Sequence, residues 1–439
     1  MLHVIIVGAG IAGLSCAITL ARHRNVRITI LERVVVMDKA GNGIQIPCNA
    51  AHTMRCLGLL EKLLAKTKQP ATAFLNLKYD DGEVLLNKEL SRFEELYGAP
   101  WLLIHRADYM TVLLEEAQRL GVQIQLGHDV ETIDFDTPSV TLRNGEVHKA
   151  DVVVGCDGIN STIRSIMHPS VQPVPTGEYA YRTLFTRSQL SSPTFQHLTS
   201  SPGTSRCWVG PLANAVFYPL QDGTLFNLVI AIANPDFNNS CDEGALLSSL
   251  RDWLRDWDPI LLEMLDTATQ LIRFPIYRVD RLPFWTQGSV TLMGDAAHAM
   301  LPHLAQGAAT GVEDAFILGS LLGRLSDSIA EGTPGSQLQQ HVRTILHSYE
   351  KLQHDRTAQI ASASRFTGML DHLPPGPDQK ARDAEFAMYD PEKTVSAMPW
   401  IDARTNKDLL GRKVDEVAER EFARLLADGE LSELSAVPA

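Results

Sequence analysis

Three short glycine-containing stretches hold the residues best suited to chemistry. In "GAGIAG" (8–13), Gly8, Gly10 and Gly13 follow an apolar run and open a helical pattern. There the first glycine permits a tight turn, and the second lets backbone N–H groups approach a pyrophosphate. The third lets helix and strand pack closely, and the helix N-terminus favours the phosphate charge. Glu32 stands 19 residues beyond Gly13, closing the next apolar run. A carboxylate at that point accepts hydrogen bonds from the hydroxyls of an unphosphorylated ribose, which suits FAD or NAD rather than NADP. Arg33 follows it directly and is expected to contact the same cofactor.

The second stretch is "VVVGCDGINSTIR" (152–164), a strand running into Asp157-Gly158 and a helix with Arg164. Asp157 can face a ligand or simply fill a favoured turn position. The same choice holds for "HRAD" (105–108), where Arg106 reaches a ligand or sits in a surface pair and Asp108 caps a helix. The third stretch is "TLMGDAAHAMLPHLAQGAATGVEDA" (291–315). Asp295 follows a strand expected to lie beside the first one, so its carboxylate can bond hydroxyls of a ribityl chain. Gly307 and Ala308 begin a helix whose free N–H groups can face the pyrimidine edge of an isoalloxazine, where reduced flavin carries negative charge. Gly43 and Ile44 belong to another glycine-rich loop, "GNGIQIPCNA" (41–50). His298 and His303 are five apart, poor spacing for two ligands on one helix face, and no third His or Cys is near; no metal site is expected.

Stepping along the chain, "LHVIIV" reads as a strand buried on both faces, followed by a helix and a second apolar strand, "RITILE". Residues 41–60 read as a mobile-looking loop and one helix. Short alternating strands "AFLNLKY" and "EVLLNKEL" join at "DDG", and a helix over 107–120 returns to strands with a hairpin at "NGE". Residues 172–285 read as alternating strands broken by a helix near 243–256, and the chain is mostly helical from about 335. The expected class is α/β: a Rossmann-type domain assembled from 1–71, 101–171 and 286–332. A β-rich substrate domain (antiparallel sheet plus helix) from 72–100 and 172–285, and a helical segment over 333–439, complete it.

At 439 residues the chain can bury a large core. Its net charge of -13, without clustered Lys or Arg, argues against a nucleic-acid partner. Six scattered cysteines without a CxxC read as a reduced, cytoplasmic chain, and the first strand leaves no room for a leader. The apolar run at 225–233 is well short of the ~20 residues a spanning helix needs, so no membrane is expected. Monomer and homodimer fit equally.

GxGxxG with Glu32, Asp157-Gly158 and Gly294-Asp295, in this order and spacing, resembles the single-component flavoprotein monooxygenases of the para-hydroxybenzoate hydroxylase fold. The resemblance covers about residues 1 to 375. "HRADYM" (105–110), "YAYR" (179–182), "FYPL" (217–220) and "LPHLAQGAATGVEDA" (301–315) are most similar to the salicylate-hydroxylase-like branch, fungal biosynthetic enzymes of secondary metabolism included. There are departures: Pro47-Cys48-Asn49 replaces the usual Pro-Pro-Asn. Ala299 stands where a Pro commonly follows the motif's His, and Thr310 lies where an Asn is frequent.

The resemblance implies FAD as cofactor, NADPH or NADH as electron donor, and O2 with an aromatic small molecule as substrates. A C4a-hydroperoxyflavin would pass its distal oxygen to an electron-rich carbon. It also implies that Arg182 and Tyr218, on neighbouring strands of the pocket roof, activate and orient a phenolic oxygen. From the residues alone, Arg182 reads equally as a salt-bridged strand residue and Tyr218 as core. Trp208 and Phe217 read as core or pocket wall. An alkaloid or terpenoid epoxidase would carry the same motifs. A reductase or oxidase would share GxGxxG but not Asp157-Gly158, and a non-catalytic GTPase escort of Rossmann ancestry would keep the glycines alone.

Overall fold

The structure, a computed structural model, describes residues 1–37, 41–240, 245–330 and 333–431. The N-terminal run forms β1 (Leu2–Val7), which returns through the helix Ile11–Leu20 to β2 (Val26–Glu32). β1 and β2 pair in parallel, Val4 opposite Ile28, so both faces need cover and the run is continuously apolar. The glycine-rich loop yields β3 (Gly43–Ile46), and the chain continues through β4 (Ala73–Lys78) and β5 (Val84–Lys88) to β6 (Leu102–His105), the partner of β3. Residues 43–46 are thus a strand rather than loop; residues 38–40 lie outside the described ones. The helix expected from 49 onward is two, Cys48–Cys56 and Leu60–Thr67, because Gly58 takes φ +63° between them.

The helix Arg106–Arg119 leads into β7 (Gln123–Leu126). β8 (Val130–Asp134), β9 (Ser139–Leu142) and β10 (Val147–Lys149) form a small antiparallel sheet, and β11 (Val152–Gly155) returns to pair with β1. Then come β12 (Val174–Thr186), β13 (Thr204–Gly210), β14 (Ala213–Leu220), β15 (Leu225–Ile232) and β16 (Ile272–Arg278). β17 (Thr286–Gln287) and β18 (Val290–Leu292) close the series. The first sheet has the order β17-β18-β11-β1-β2-β7, with every pair parallel except β17–β18. β18 therefore pairs with β11, not β1 as the sequence reading had it; β11 occupies that flank of β1.

The second sheet has the order β16-β12-β15-β14-β13-β4-β5. Its strands alternate faces with period two. Tyr181, Phe185, Trp208, Phe217, Phe226 and Ile230 form a core with the helices Leu246–Trp253 and Pro259–Thr267. Trp208 and Phe217 are thereby core residues. The second of these helices escaped the sequence reading, although Asp258 caps it by accepting from the Ile260 N–H ahead of Pro259. The opposite face of the sheet looks toward the first sheet. Arg182 and Tyr218 both lie on it, but not on adjacent strands: β15 runs between β12 and β14, and Val229 pairs with Arg182 on one side and Val216 on the other.

A 37-residue helix, Gly335–Asp371, spans both sheets. Beside the first sheet, Tyr349 donates to the Leu292 carbonyl and Gln353 to Asp314. At its C-terminal end His372 meets Asn214 of β14, Nε2 to Oδ1 2.9 Å. Three further helices, Pro377–Ala387, Ala403–Leu410 and Val414–Ala427, wrap back around. None of the described helices is long and apolar enough to cross a membrane.

Candidate active site

One cavity of about 790 Å³ lies between the two sheets. The glycine stretches meet at one end of it, and they divide into two physical kinds. Gly8 has φ +108°, and a Cβ there would sit 2.5 Å from the Cys156 carbonyl oxygen; at Gly13 it would sit 2.1 Å from the Gly8 carbonyl oxygen. The fold itself requires those two. Gly10 and Gly307 line the cavity instead, and a Cβ on either meets no atom within 4 Å. Their missing side chains leave room for something that is not protein.

Asp295 also lines the cavity. It lies deep in the protein, yet its side chain is open to the cavity, and none of the described residues hydrogen-bonds its carboxylate. Burial raises its pKa, while His298, Arg106 and Arg164 pull it back down. Arg106, at the start of its helix, reaches the same end, as do Gly43, Ile44 and Ala308. The helix Gly307–Ser328 starts without a side-chain cap, so its first N–H groups and positive end point at the cavity. An uncapped helix start, a cavity-facing carboxylate without a partner and two open glycine faces fit a flavin dinucleotide well.

Three expected contacts are placed otherwise. The Asp157 carboxylate is spent on the protein: it accepts from Ser161 Oγ at 2.5 Å and from the Thr162 N–H at 2.7 Å, fixing the start of the helix Thr162–Met167. Its neighbours Cys156 and Gly158 face the cavity, Asp157 does not. Arg33 is exposed to solvent outside the cavity. Glu32 does not line it either; its carboxylate accepts from the Ala9 N–H at 2.7 Å and the Val34 N–H at 3.0 Å, which ties β2 to the glycine turn.

The other end of the cavity is walled by the second sheet. Arg182 and Tyr218 project into it, and Arg182 has no ion-pair partner among the described residues. Burial pushes the Tyr218 hydroxyl pKa up, partly offset by Arg182. A Cβ on Gly43 would come within 2.6 Å of the Tyr218 ring, so the two ends meet there in direct contact. The Gly43 N–H donates to Asn227 Oδ1 at 3.0 Å, leaving the buried Asn227 Nδ2 without a partner.

His298 and His303 serve separate ion pairs: His298 Nε2 lies 2.5 Å from Asp314, and His303 Nε2 lies 3.2 Å from Glu178. Among the described residues, the groups geometrically able to hold an ion are His52–Cys56–Asp415 and His128–Glu146–His148, neither of which lines the cavity. Five cysteines are free thiols; Cys241 lies outside the described residues. Sequence reasoning missed Asp371 and Trp400, cavity-wall residues contributed by the C-terminal segment, and gave His303 no place in the wall. No spacing signal ties residues so far along the chain to β12–β15.

A family model described as an FAD binding domain matches residues 1–232 and 265–351. The chain is 33% identical over 408 residues to the FAD-dependent monooxygenase OpS4 of Beauveria bassiana, covering 91% of this chain and 92% of that one. It is 32% identical to a 3-amino-4-hydroxybenzoate 2-monooxygenase of Streptomyces platensis, over 87% and 91%. The chain belongs to the FAD-dependent monooxygenases. Its fold is that of a salicylate hydroxylase substrate complex (TM-score 0.75, 22% identity, 96% of this chain and 98% of that one). It is likewise that of Klebsiella pneumoniae HpxO with FAD and uric acid (TM-score 0.76, 20% identity, 93% and 97%).

Proposed function

We propose that this monooxygenase inserts one oxygen atom of O2 into a phenolic small molecule, using electrons from NADH or NADPH. The observation that carries this reading is the continuity of a single cavity from Gly10, Asp295 and Gly307 to Arg182 and Tyr218. Bound FAD supplies hydride acceptance and O2 activation; the polypeptide holds, orients and keeps water out. In this reading the N–H groups beyond Gly10 take the pyrophosphate and Asp295 the ribityl hydroxyls. The start of the helix at Gly307 and Ala308 faces the pyrimidine edge, where a positive helix end favours negative charge. Arg106, Gly43 and Ile44 flank the cofactor, and Glu32 holds the turn that presents the phosphate site. Residues 1–71, 101–171 and 286–332 would form the cofactor domain, and 72–100 with 172–285 the substrate domain.

A phenol attacks far better as phenolate, and the free Arg182 guanidinium is placed to favour an anionic oxygen. Tyr218, held neutral by burial, can donate to that oxygen and orient the ring. Relatives named for hydroxybenzoates and for hispidin support an aromatic substrate with acidic oxygen. The test is NAD(P)H oxidation across a panel of phenols, salicylates, indoles and polyketide aromatics, with product mass. Slow oxidation alone, acceleration by one aromatic class and a product one oxygen heavier are expected. Rapid oxidation without any aromatic, yielding only peroxide, would make the protein an oxidase.

A further inference from the structure

Asp371 is the last residue of the long helix Gly335–Asp371, where the helix dipole disfavours negative charge. Its side chain is 95% buried, lines the cavity, and receives no hydrogen bond from any described residue. Every polar neighbour already has its own partner. His303 pairs with Glu178, His372 with Asn214 Oδ1, and Arg382 with Asp383; Asn214 Nδ2 donates to Cys207 Sγ at 3.6 Å. Burial pushes the Asp371 carboxyl up to about 6, with His303 and Arg382 opposing. Burial also pushes the His372 imidazole down to about 3, so that ring is neutral. An unpaired buried carboxylate at a helix C-terminus burdens the fold: His303 and Arg382 offset part of the burial, and no hydrogen bond from a described residue offsets the rest.

We propose that Asp371 is the distal anchor of the substrate pocket, accepting a hydrogen bond from an O–H or N–H group at the end of the substrate remote from Arg182. This rests on the phenol-hydroxylating reading and deepens it. The register sets the scale: Arg182, Val229, Val216 and Cys207 lie in one row across β12, β15, β14 and β13. Three strand spacings are about 14 Å; Asp371 lies toward the Cys207 side, where its charge acts on that thiol and the adjoining His372 meets Asn214 of β14. Beyond it stand Phe74, Trp101 and Trp400, with Phe74 and Trp400 edge to face at 4.9 Å. A one-ring benzoate, shorter than this row, does not span it. A substrate with more than one ring, acidic at one end and carrying a donor at the other, can.

Two measurements on the FAD-loaded protein decide it. The first needs no substrate: thermal melting of Asp371→Asn against the parent from pH 8 down to pH 5. A carboxyl whose folded pKa is raised costs stability above that pKa, and the cost fades as pH falls toward the unfolded value. Asp371→Asn should therefore melt higher than the parent at pH 8, with the gap closing toward pH 5. The second is a flavin-absorbance titration with 4,4′-dihydroxybiphenyl and its monomethyl ether. The parent should prefer the diphenol by about 10-fold, and Asp371→Asn should lose that preference while keeping its FAD content.

A variant that melts lower at pH 8 would mean the carboxylate serves the fold. An unchanged diphenol preference, or a parent that binds neither probe, would equally overturn the proposal. Failure of the phenol reading itself looks different: no aromatic in the panel accelerates NAD(P)H oxidation, while the melting comparison still reports on Asp371.

Discussion

Gly10 separates what the fold needs from what the cofactor needs. It precedes the helix Ile11–Leu20 with φ -75° and ψ -175°, a conformation any residue adopts, and a Cβ there meets nothing within 4 Å. Gly10→Val should thus leave the apoprotein nearly as stable as the parent. Reduced freedom of the unfolded chain contributes about 0.4–1 kcal/mol, and loss of a favoured cap residue takes back a similar amount. The valine would, however, fill the space through which a pyrophosphate reaches the backbone. Losing two charge-assisted N–H bonds at ~1.5–3 kcal/mol each weakens FAD binding by about 10²- to 10⁴-fold. Gly13→Ala should behave oppositely, because its methyl group would collide with backbone at 2.1 Å and destabilise the apoprotein itself. Calorimetric melting of the two apoproteins and FAD titration by fluorescence quenching give both quantities. A Gly10→Val protein that binds FAD like the parent, or that unfolds while Gly13→Ala stands, would refute the assignment.

Asp295→Ala should lose about 10- to 150-fold in FAD affinity, one charge-assisted contact, yet leave the apoprotein at least as stable, since no protein partner is abandoned; titration and melting check each half. Arg182→Ala should keep FAD and fold, lose most hydroxylation, and shift the ionisation of bound phenol to higher pH, with Lys restoring part of it; a spectral pH titration of the bound aromatic reads this directly. Glu313 is fully buried and holds Arg356 at 2.8 Å, Arg412 at 3.6 Å and Asn49 at 2.7 Å. Removing its charge by Glu313→Gln should cost about 3–5 kcal/mol in a denaturant melt. Burial works against that charge but Arg356 prevails and lowers the pKa, so the contribution is complete above the unfolded carboxyl value and lost as pH falls through the folded one. The variant should accordingly lose the parent's acid limb.

The residues legible in the sequence were those whose function is written in the backbone. Gly13 is required by the Gly8 carbonyl within one βαβ unit and Gly8 by its own φ of +108° and the Cys156 carbonyl beyond that unit, while Gly10 stands where the unit is left open. Asp157 shows the limit of such reading. A strand-to-helix Asp-Gly turn looks the same whether the carboxylate faces a ligand or caps the helix, and here it caps. Arg33 points to solvent because β2 ends at Glu32 and the chain then runs exposed through residues 33–36, which the motif does not encode. Neither the place of β18 beside β11 nor the strand between Arg182 and Tyr218 follows from local pattern, since sheet order is a non-local choice. Asp371 and Trp400 were beyond reach for the same reason: helices after residue 333 bring them to a sheet built mostly from residues 174–278.

The distribution of buried charge separates scaffold from site. Where a buried ion serves the fold, it is paired: Glu313 with Arg356, His298 with Asp314, Glu116 with Arg119 and Lys62. Even Lys88, fully buried and pushed down to about 7 by burial, donates to the Trp400 carbonyl and lies 3.7 Å from that residue's ring centroid. Along the cavity wall the pattern differs: Asp371 is buried, Arg182 half-buried and Asp295 open to the cavity, and none has a hydrogen-bond or ion-pair partner among the described residues. Each forgoes a protein partner that would have stabilised the chain, as binding sites commonly do at the expense of stability. Their signs alternate along the cavity wall: an acid beside the glycine turns, a guanidinium on β12 near one edge of the sheet, and an acid again toward β13. A ligand set that satisfies them in turn has hydroxyls, then an anionic oxygen, then a donor. A ribityl chain followed by an elongated phenol meets those three demands, whereas a hydrocarbon epoxidase substrate would leave two charges desolvated and unpaired.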